Sequence, residues 1–262
     1  MIVRIGTRGS ALARAQTEEA AALLRAKGYR TEIVVVRTRG DSDLLSPLSE
    51  IGRGAFTDVF AEMLRRGEID LAVHSAKDLP TDESRDGFFC LPRADARDAL
   101  VCASGREITR VGTGSPRRAA AIKKLYPAAD VLPVRGNVDT RIQKLLAGEF
   151  DALVLAAAGL DRLHISDSRL TVVRLSVKDC VPAACQGIIA VEGALGERIH
   201  DEKAGRAARI ERACQRALGG DCTGGIGCYF DGTTLFAQRE GRVSALPYAG
   251  EETISRLAEE LS

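Results

Sequence analysis

Arginine recurs beside serine at points where a helix is expected to begin. Arg8 stands two residues before Ser10, and Arg117-Arg118 follow Ser115 closely. A helix N-terminus offers unpaired N–H groups and the positive end of its dipole, so a guanidinium there builds a site for carboxylate or phosphate. Arg135 and Arg141 flank a third expected helix start, and Arg162 follows an apolar run around Val154. Each charge-assisted contact is worth about 1.5–3 kcal/mol. Several converging sites suit a polyanion better than a single phosphate. Taken singly, each arginine also reads as an ordinary, weakly paired surface charge. No G-x-x-x-x-G-K-[ST] run is present, which excludes a P-loop.

Two more places hold groups that can react. Lys77-Asp78 ends a run with an apolar start, Leu71-Ala72-Val73-His74-Ser75-Ala76. If the chain turns there, Asp78 can stabilise a cation while Lys77 engages a carboxylate; the alternative is a solvated turn pair. His74 has no identifiable acid partner and reads as packed or hydrogen-bonded. Cys222 lies in Leu218-Gly219-Gly220-Asp221-Cys222-Thr223-Gly224-Gly225. Glycines on both sides imply a sharply turned or mobile loop that presents its thiol. Cys90, Cys102 and Cys180 lie in or near apolar stretches and read as inert thiols.

The elements that must position these groups alternate between strand and helix. Ile2–Ile5 reads as a strand, followed by Ser10 as an N-cap and a helix from Ala11 to about Lys27 that stops at Gly28. Thr31–Thr38 has the continuous apolar character of a buried strand. Gly40–Gly54 reads as a long loop, a candidate lid. Phe56, Val59, Phe60, Met63 and Leu64 follow helical spacing up to Gly67. The pattern then restarts: Val111-Gly112-Thr113 leads through Ser115, as a cap, to a helix whose first residue is Pro116. Val131–Val134 and Ala152–Ala156 read as strands with a helix from about Thr140 to Ala147 between them. Ile188–Val191 is a strand that could return to the first lobe, and His200–Leu218 a charged helix. Asp231-Gly232 marks a hairpin, and Glu251–Leu261 an amphipathic helix.

This reads as an α/β protein of two lobes, each opening with the same turn chemistry, plus a small α+β unit. The expected boundaries are residues 1–95 with 188–199, then 96–187, then 200–262. Net charge is +1, so overall basicity offers nothing to nucleic acid. The 45% hydrophobic residues supply cores, but no run is long enough to span a membrane, and the N-terminus lacks a secretory pattern. Seven cysteines with no C-x-x-C pair favour free thiols in a reducing cytoplasm over disulfides or zinc.

Asp70-Leu71-Ala72-Val73-His74-Ser75-Ala76-Lys77-Asp78-Leu79-Pro80 fits, over eleven consecutive residues, the run D-[IL]-A-V-H-S-x-K-D-[VL]-P. Ile5-Gly6-Thr7-Arg8-Gly9-Ser10, Thr38-Arg39-Gly40-Asp41, Arg135-Gly136-Asn137-Val138-Asp139-Thr140-Arg141 and Ala157–Leu163 supply further matching runs in order. Together they resemble the porphobilinogen deaminases, or hydroxymethylbilane synthases, from about Arg4 to Gly227. The resemblance implies two lobes like those of periplasmic binding proteins with a cleft between them, and a third domain holding a dipyrromethane by a thioether to Cys222. It implies stepwise condensation of four porphobilinogens. Each loses ammonia to give an azafulvene that the terminal pyrrole attacks, and water releases hydroxymethylbilane.

By the same matching, Asp78 is the catalytic acid, expected to stay ionised among cations. Ser75, Lys77, Asp78, Thr113, Ser115, Arg117, Arg118 and Arg141 would hold the cofactor. Arg8, Ser10, Arg135, Arg141 and Arg162 would hold substrate carboxylates. No metal is implied. The expected partner is porphobilinogen, not nucleic acid or membrane, and the expected state is a monomer.

Departures from the family's pattern are Gly114 and Pro116 in its G-T-S-S-L-R-R run, Glu50 for a lysine, Asp221 before the cysteine, Gly224-Gly225 for V-P, and Ala184-Cys185-Gln186-Gly187 for V-G-Q-G. Two rivals remain open: a solute-binding protein for a carboxylate-rich ligand, and a degenerate deaminase kept as an interaction module.

Overall fold

The computed structural model describes residues 2–36, 58–220 and 225–262. Two compact units form, one from the residues up to Arg93 with Ile188–Arg206, the other from Ala94–Gly187 with Ala207–Ser262. In chain order the first unit contains β1 (Ile2–Arg8), α1 (Ala11–Ala26), β2 (Arg30–Val36), α2 (Asp58–Arg65) and β3 (Leu71–Ser75). Short 3-10 turns at Ala76–Asp78 and Glu83–Arg85 precede β4 (Phe89–Cys90). The second unit opens with β5 (Asp98–Ala103), β6 (Arg110–Gly112), α3 (Pro116–Leu125), β7 (Asp130–Leu132) and α4 (Val138–Leu146). It continues with β8 (Ala152–Ala156), α5 (Ala157–Arg162) and β9 (Leu170–Arg174). Then come β10 (Ile189–Glu192), α6 (Glu202–Ala217), β11 (Gly227–Phe230), β12 (Thr234–Arg239), β13 (Arg242–Pro247) and α7 (Glu251–Leu261).

The first unit's sheet has the order β2-β1-β3-β10-β4 and the second unit's β7-β6-β8-β5-β9. These are one arrangement built twice. In each, a central strand runs parallel to two neighbours, β1 to β2 and β3, β6 to β7 and β8. In each, the next strand in the sheet is antiparallel: β10, which comes late in the chain, between β3 and β4, and β5, which precedes β6 in the chain, between β8 and β9. The α/β class with mixed sheets in two lobes and a small C-terminal α+β part is therefore the observed one.

Local chemistry explains the duplication. A Cβ on Gly6 would stand 2.6 Å from Ile69 Cδ1 and 3.1 Å from Phe60 Cδ1, and one on Gly112 would stand 2.6 Å from Leu153 Cδ2 and 2.9 Å from Phe150 Cδ1. Both central strands thus need glycine where the following elements cross them. Each sheet is also fastened at the start of its third strand by an acid. Asp70 accepts the Arg4 backbone N–H at 2.8 Å and its guanidinium at 3.0 Å; Asp151 does the same for Arg110 at 2.8 and 3.0 Å. Hydrogen bonds from these arginines hold both carboxyls below the usual range.

In the C-terminal part, β11, β12 and β13 form an antiparallel sheet whose first hairpin turns at Asp231, which accepts the N–H groups of Thr233 and Thr234. Cys214 and Leu218 from the α6 region pack there with Leu235, Leu257 and Leu261. Glu211, fully buried, accepts the N–H of Phe230 at 2.8 Å and of Cys185 at 2.7 Å, so one carboxylate ties the sheet to the 180–187 segment.

Several expectations change. Of the strand expected over 31–38, the described residues 31–36 are not buried: β2 is a sheet edge with no buried residue, and Val35 is 46% exposed. On one face Val34 and Val36 pack against the cluster of Phe60, Ile69 and Ala72; on the other Ile33 is half-buried and Val35 exposed. Helix α4 begins at Val138, two residues before the expected Thr140. Strands β5, β9 and β13 were not legible in the sequence pattern. The Gly40–Gly54 loop and Phe56 lie outside the described residues. Among the described residues, no helix is long and apolar enough to cross a membrane.

Cys185 stands at φ 62°, the left-handed region that favours glycine, in the place where the resembled pattern has glycine. A non-glycine residue there costs roughly 1–2 kcal/mol. Cys185→Gly is therefore expected to be at least as stable as Cys185→Ala in urea unfolding, the reverse of the usual order at a buried position.

Candidate active site

The candidate residues lie at the C-terminal ends of parallel strands or in the turns and helices that follow them, where open α/β sheets present ligands. In the first unit, β1 ends at Arg8 and leads to Ser10. Ser10 Oγ accepts the Ala13 N–H at 3.2 Å, so the expected N-cap is present. Strand β3 ends at Ser75, whose hydroxyl lies 2.9 Å from Gln16 Nε2 and 3.1 Å from Gln16 Oε1. Gln16, which sequence reasoning missed, thus holds the hydroxyl of the candidate residue Ser75. The signal was present, because Gln16, Ala20 and Leu24 recur every four residues on the buried face of α1.

The turn Ala76–Asp78 is anchored on both sides. Ala76 N–H donates to Ile188 O at 3.0 Å, Leu79 N–H donates to Ala76 O at 3.3 Å, and both side chains are buried. Asp78 between them is exposed and Lys77 is half-buried. The backbone is held while the carboxylate is presented. His74 does have an acid partner, contrary to the sequence reading: its Nε2 lies 3.1 Å from Glu192 Oε2. The pairing arises because β10 returns beside β3, 118 residues later in the chain.

In the second unit, β6 leads to Thr113 and Ser115. Thr113 Oγ1 accepts the Ser115 N–H at 3.1 Å. Ser115 occupies the cap position of α3 but makes no side-chain capping bond, so the expected serine cap is a backbone turn instead. Arg141 Nε donates to Gly136 O at 2.8 Å, and Arg162 donates to Gly187 O at 3.2 Å. Arg135 is exposed.

Arg117 and Arg118 differ most from the simple picture of open helix-end cations. They are 4% and 8% exposed, and both face Asp98, which has no exposure at all. Arg117 reaches Asp98 Oδ2 at 2.6 Å and Val181 O at 2.6 Å. Arg118 donates to Asp98 Oδ1 at 2.8 Å and to Val154 O at 3.2 Å. Gln186 Nε2 donates to Asp98 at 2.9 Å. Burial works against the Asp98 charge, but the two facing arginines outweigh it and hold the carboxyl well below the usual range. Cys180 Sγ sits 3.3 Å from Asp98, and burial pushes its thiol up to about 12. The group therefore carries one negative and two positive charges, a surplus cation held away from water.

Cys222 lies outside the described residues. The chain enters and leaves that segment through Gly219 and Gly225, at φ 73° and 70°. The described cysteines are thiols; Cys214 and Cys228 have no exposure. Among the described residues, no cluster of three or more His, Cys, Asp or Glu is arranged to hold a metal.

The buried charge group has a pH signature. A carboxyl whose folded pKa is depressed stabilises the fold above its unfolded value near 4, and that contribution is lost as pH falls toward the folded value. Asp98→Asn also leaves two buried guanidiniums without their anion, a loss on the order of 3–5 kcal/mol. Urea midpoints below pH 4 are expected to fall steeply in the parent protein and less steeply in Asp98→Asn, which starts lower at neutral pH.

A family model described as "Porphobilinogen deaminase, dipyromethane cofactor binding domain" matches residues 3–201. A protein named porphobilinogen deaminase from Acidothermus cellulolyticus is 45% identical over 247 residues, covering 86% of this chain and 74% of its own. A probable porphobilinogen deaminase from Methanocella arvoryzae is 41% identical, covering 87% of this chain and 79% of its own. Among solved structures, an ABC transporter protein from Parabacteroides distasonis matches 84% of this chain and 74% of its own at 18% identity, with a TM-score of 0.44. With a matching model over most of its length and relatives above 40% identity, the chain belongs to the porphobilinogen deaminase family.

Proposed function

We propose that this chain condenses four porphobilinogens in turn, with loss of ammonia, into the linear tetrapyrrole hydroxymethylbilane. The observation that carries the reading is Asp78: an exposed carboxylate on a turn whose backbone is anchored, inside the family's most specific run. A dipyrromethane held by a thioether to Cys222 supplies, when bound, the nucleophilic pyrrole carbon that starts the chain.

The residues fit such a group. Every pyrrole of cofactor and substrate bears acetate and propionate side chains, so the ligand is a string of carboxylates. The described groups near the strand ends are guanidiniums, hydroxyls and an ammonium, the donor set that binds carboxylates. The surplus charge of the Arg117–Asp98–Arg118 group adds attraction for an anion close by.

In this reading Ser75, Lys77, Thr113, Ser115, Arg117, Arg118 and Arg141 hold the cofactor. Arg8, Ser10, Arg135, Arg141 and Arg162 hold the substrate's carboxylates. Asp78 accepts hydrogen bonds from pyrrole N–H groups and stabilises the positive charge that develops on the substrate as ammonia departs. Gln16 keeps the Ser75 hydroxyl aimed by the reciprocal bond already described. We further propose that the protein works as a monomer in the cytoplasm, where its thiols stay reduced.

Asp78→Asn is expected to keep the fold and lower turnover of porphobilinogen by about 10²–10³-fold, since a neutral amide cannot stabilise the developing cation. A colorimetric rate assay checks this, and near-normal turnover would show that Asp78 is not the acid. Cys222→Ser is expected to lack the mass increment of a covalent dipyrromethane in intact-mass spectra. Finding that increment on Cys214 or Cys228 would refute the attachment site, although both thiols are fully buried.

A further inference from the structure

We propose that Glu192 is a positioning residue that closes the segment carrying Asp78 at both of its ends. The inference rests on the reading of Asp78 as the reacting acid. Glu192 ends β10 and makes two contacts through its two oxygens. Oε2 accepts from His74 Nε2 at 3.1 Å, and Oε1 stands 3.9 Å from Arg85 NH1. His74 precedes Asp78 by four residues on β3, and Arg85 follows it by seven in the second 3-10 turn. One carboxylate thus joins the entry and the exit of the turn-bearing segment.

The contacts are graded in exposure. The His74 side chain is 5% exposed and Glu192 15%, whereas Arg85 is 22% exposed and reaches outward to Asp58 at 2.7 Å, a residue 67% exposed. Asp58 is the first residue of α2, and Phe60 two residues on meets the His74 ring edge-on at 5.2 Å. The charged or titratable groups on these elements form one alternating row, Asp58, Arg85, Glu192 and His74. A mostly buried carboxylate between two donors keeps its charge. Burial opposes this, but His74 and Arg85 prevail and hold Glu192 below the usual range. Since Glu192 is an acceptor, His74 Nε2 carries the proton.

The physical effect is to narrow the positions open to the intervening chain. Ala76 N–H on Ile188 O fixes the start of the turn. Beyond it, Leu79 is buried, Pro80 and Thr81 are half-buried and Asp82 is exposed, and Arg85 draws the second 3-10 turn toward β10. Catalysis through a fixed carboxylate is sensitive to such restraint, because displacement of about 1 Å can cost on the order of a hundredfold.

Hydrogen exchange and steady-state kinetics on the cofactor-loaded enzyme test this, with Glu192→Gln, Arg85→Gln, the double variant and Asp78→Asn compared. Glu192→Gln is expected to speed exchange of amides 76–85 by about tenfold while α1 is unchanged. Its kcat is expected to fall about tenfold, with KM within about twofold and the cofactor mass retained. Arg85→Gln should act in the same direction, more weakly, and add little in the Glu192→Gln background, since both remove one linkage. Unchanged exchange over 76–85 would overturn the inference, as would faster exchange with undiminished kcat. Should Glu192→Gln fail to fold, Arg85→Gln carries the same test with the same overturning results. Low turnover in Asp78→Asn beside unaltered Glu192→Gln would overturn the positioning role alone. Near-normal turnover in Asp78→Asn would instead overturn the reading of the acid, and the catalytic half of this inference with it.

Discussion

A carboxylate taken wholly out of water has to be answered by charge, and Asp98 is answered twice. Removing an ion of that size from water costs several kcal/mol even after relaxation. Arg117 and Arg118 meet that demand with two short contacts, and Gln186 adds an amide donor. The nearby Cys180 adds no anion, since its thiol is pushed up to about 12. Gln238 then bonds the Arg117 carbonyl and the Val181 N–H, carrying the restraint into the three-stranded sheet. The start of α3, strand β5, the 180–187 segment and β12 are thereby held relative to one another by one buried acid.

The duplicated sheet divides its charged residues by position. At the start of the third strand in each copy an acid, Asp70 or Asp151, is consumed by an arginine on the central strand. At the opposite ends of the parallel strands the groups proposed to bind anions gather. The same backbone geometry serves both because a parallel strand leaves a turn, then a helix N-terminus, at its C-terminal end. One end of each sheet is closed by an ion pair, and the other carries the groups proposed to bind ligands.

The sequence made the local chemistry readable and left the distant pairings obscure. The Ser10 cap, the Pro116 start, the hairpin at Asp231 and the last helix follow from short-range rules, and the structure has them within two residues. The repeat was visible in Gly-Thr at the ends of β1 and β6. A second sign went unread: Gly67-Glu68-Ile69-Asp70 and Gly148-Glu149-Phe150-Asp151 precede the third strand in both copies. Strands β9 and β13 escaped notice because they are largely exposed and lack a clean alternation. Gln16, Glu192 and Asp98 escaped for a different reason. Their partners lie 59, 118 and 19–20 residues away, and nothing periodic links such positions. An acid leading the apolar run Asp98-Ala99-Leu100-Val101 was the one available clue that Arg117 and Arg118 have an internal task.

Asp98, and Asp78 in the role proposed for it, set one side-chain type to opposite tasks in one chain. Asp98 is enclosed, fully matched by cations, and unable to serve a reacting substrate without leaving two guanidiniums exposed to each other. Asp78 is exposed, with buried Ala76 and Leu79 on either side holding its backbone rather than its carboxylate. A group that must answer charge appearing during a reaction needs that arrangement, fixed in place but not already neutralised. The anchoring comes from apolar burial and backbone hydrogen bonds, which place the carboxylate without competing for its charge. The charged restraint at Glu192 stays at the ends of the segment, where it can hold the chain without sitting beside the acid.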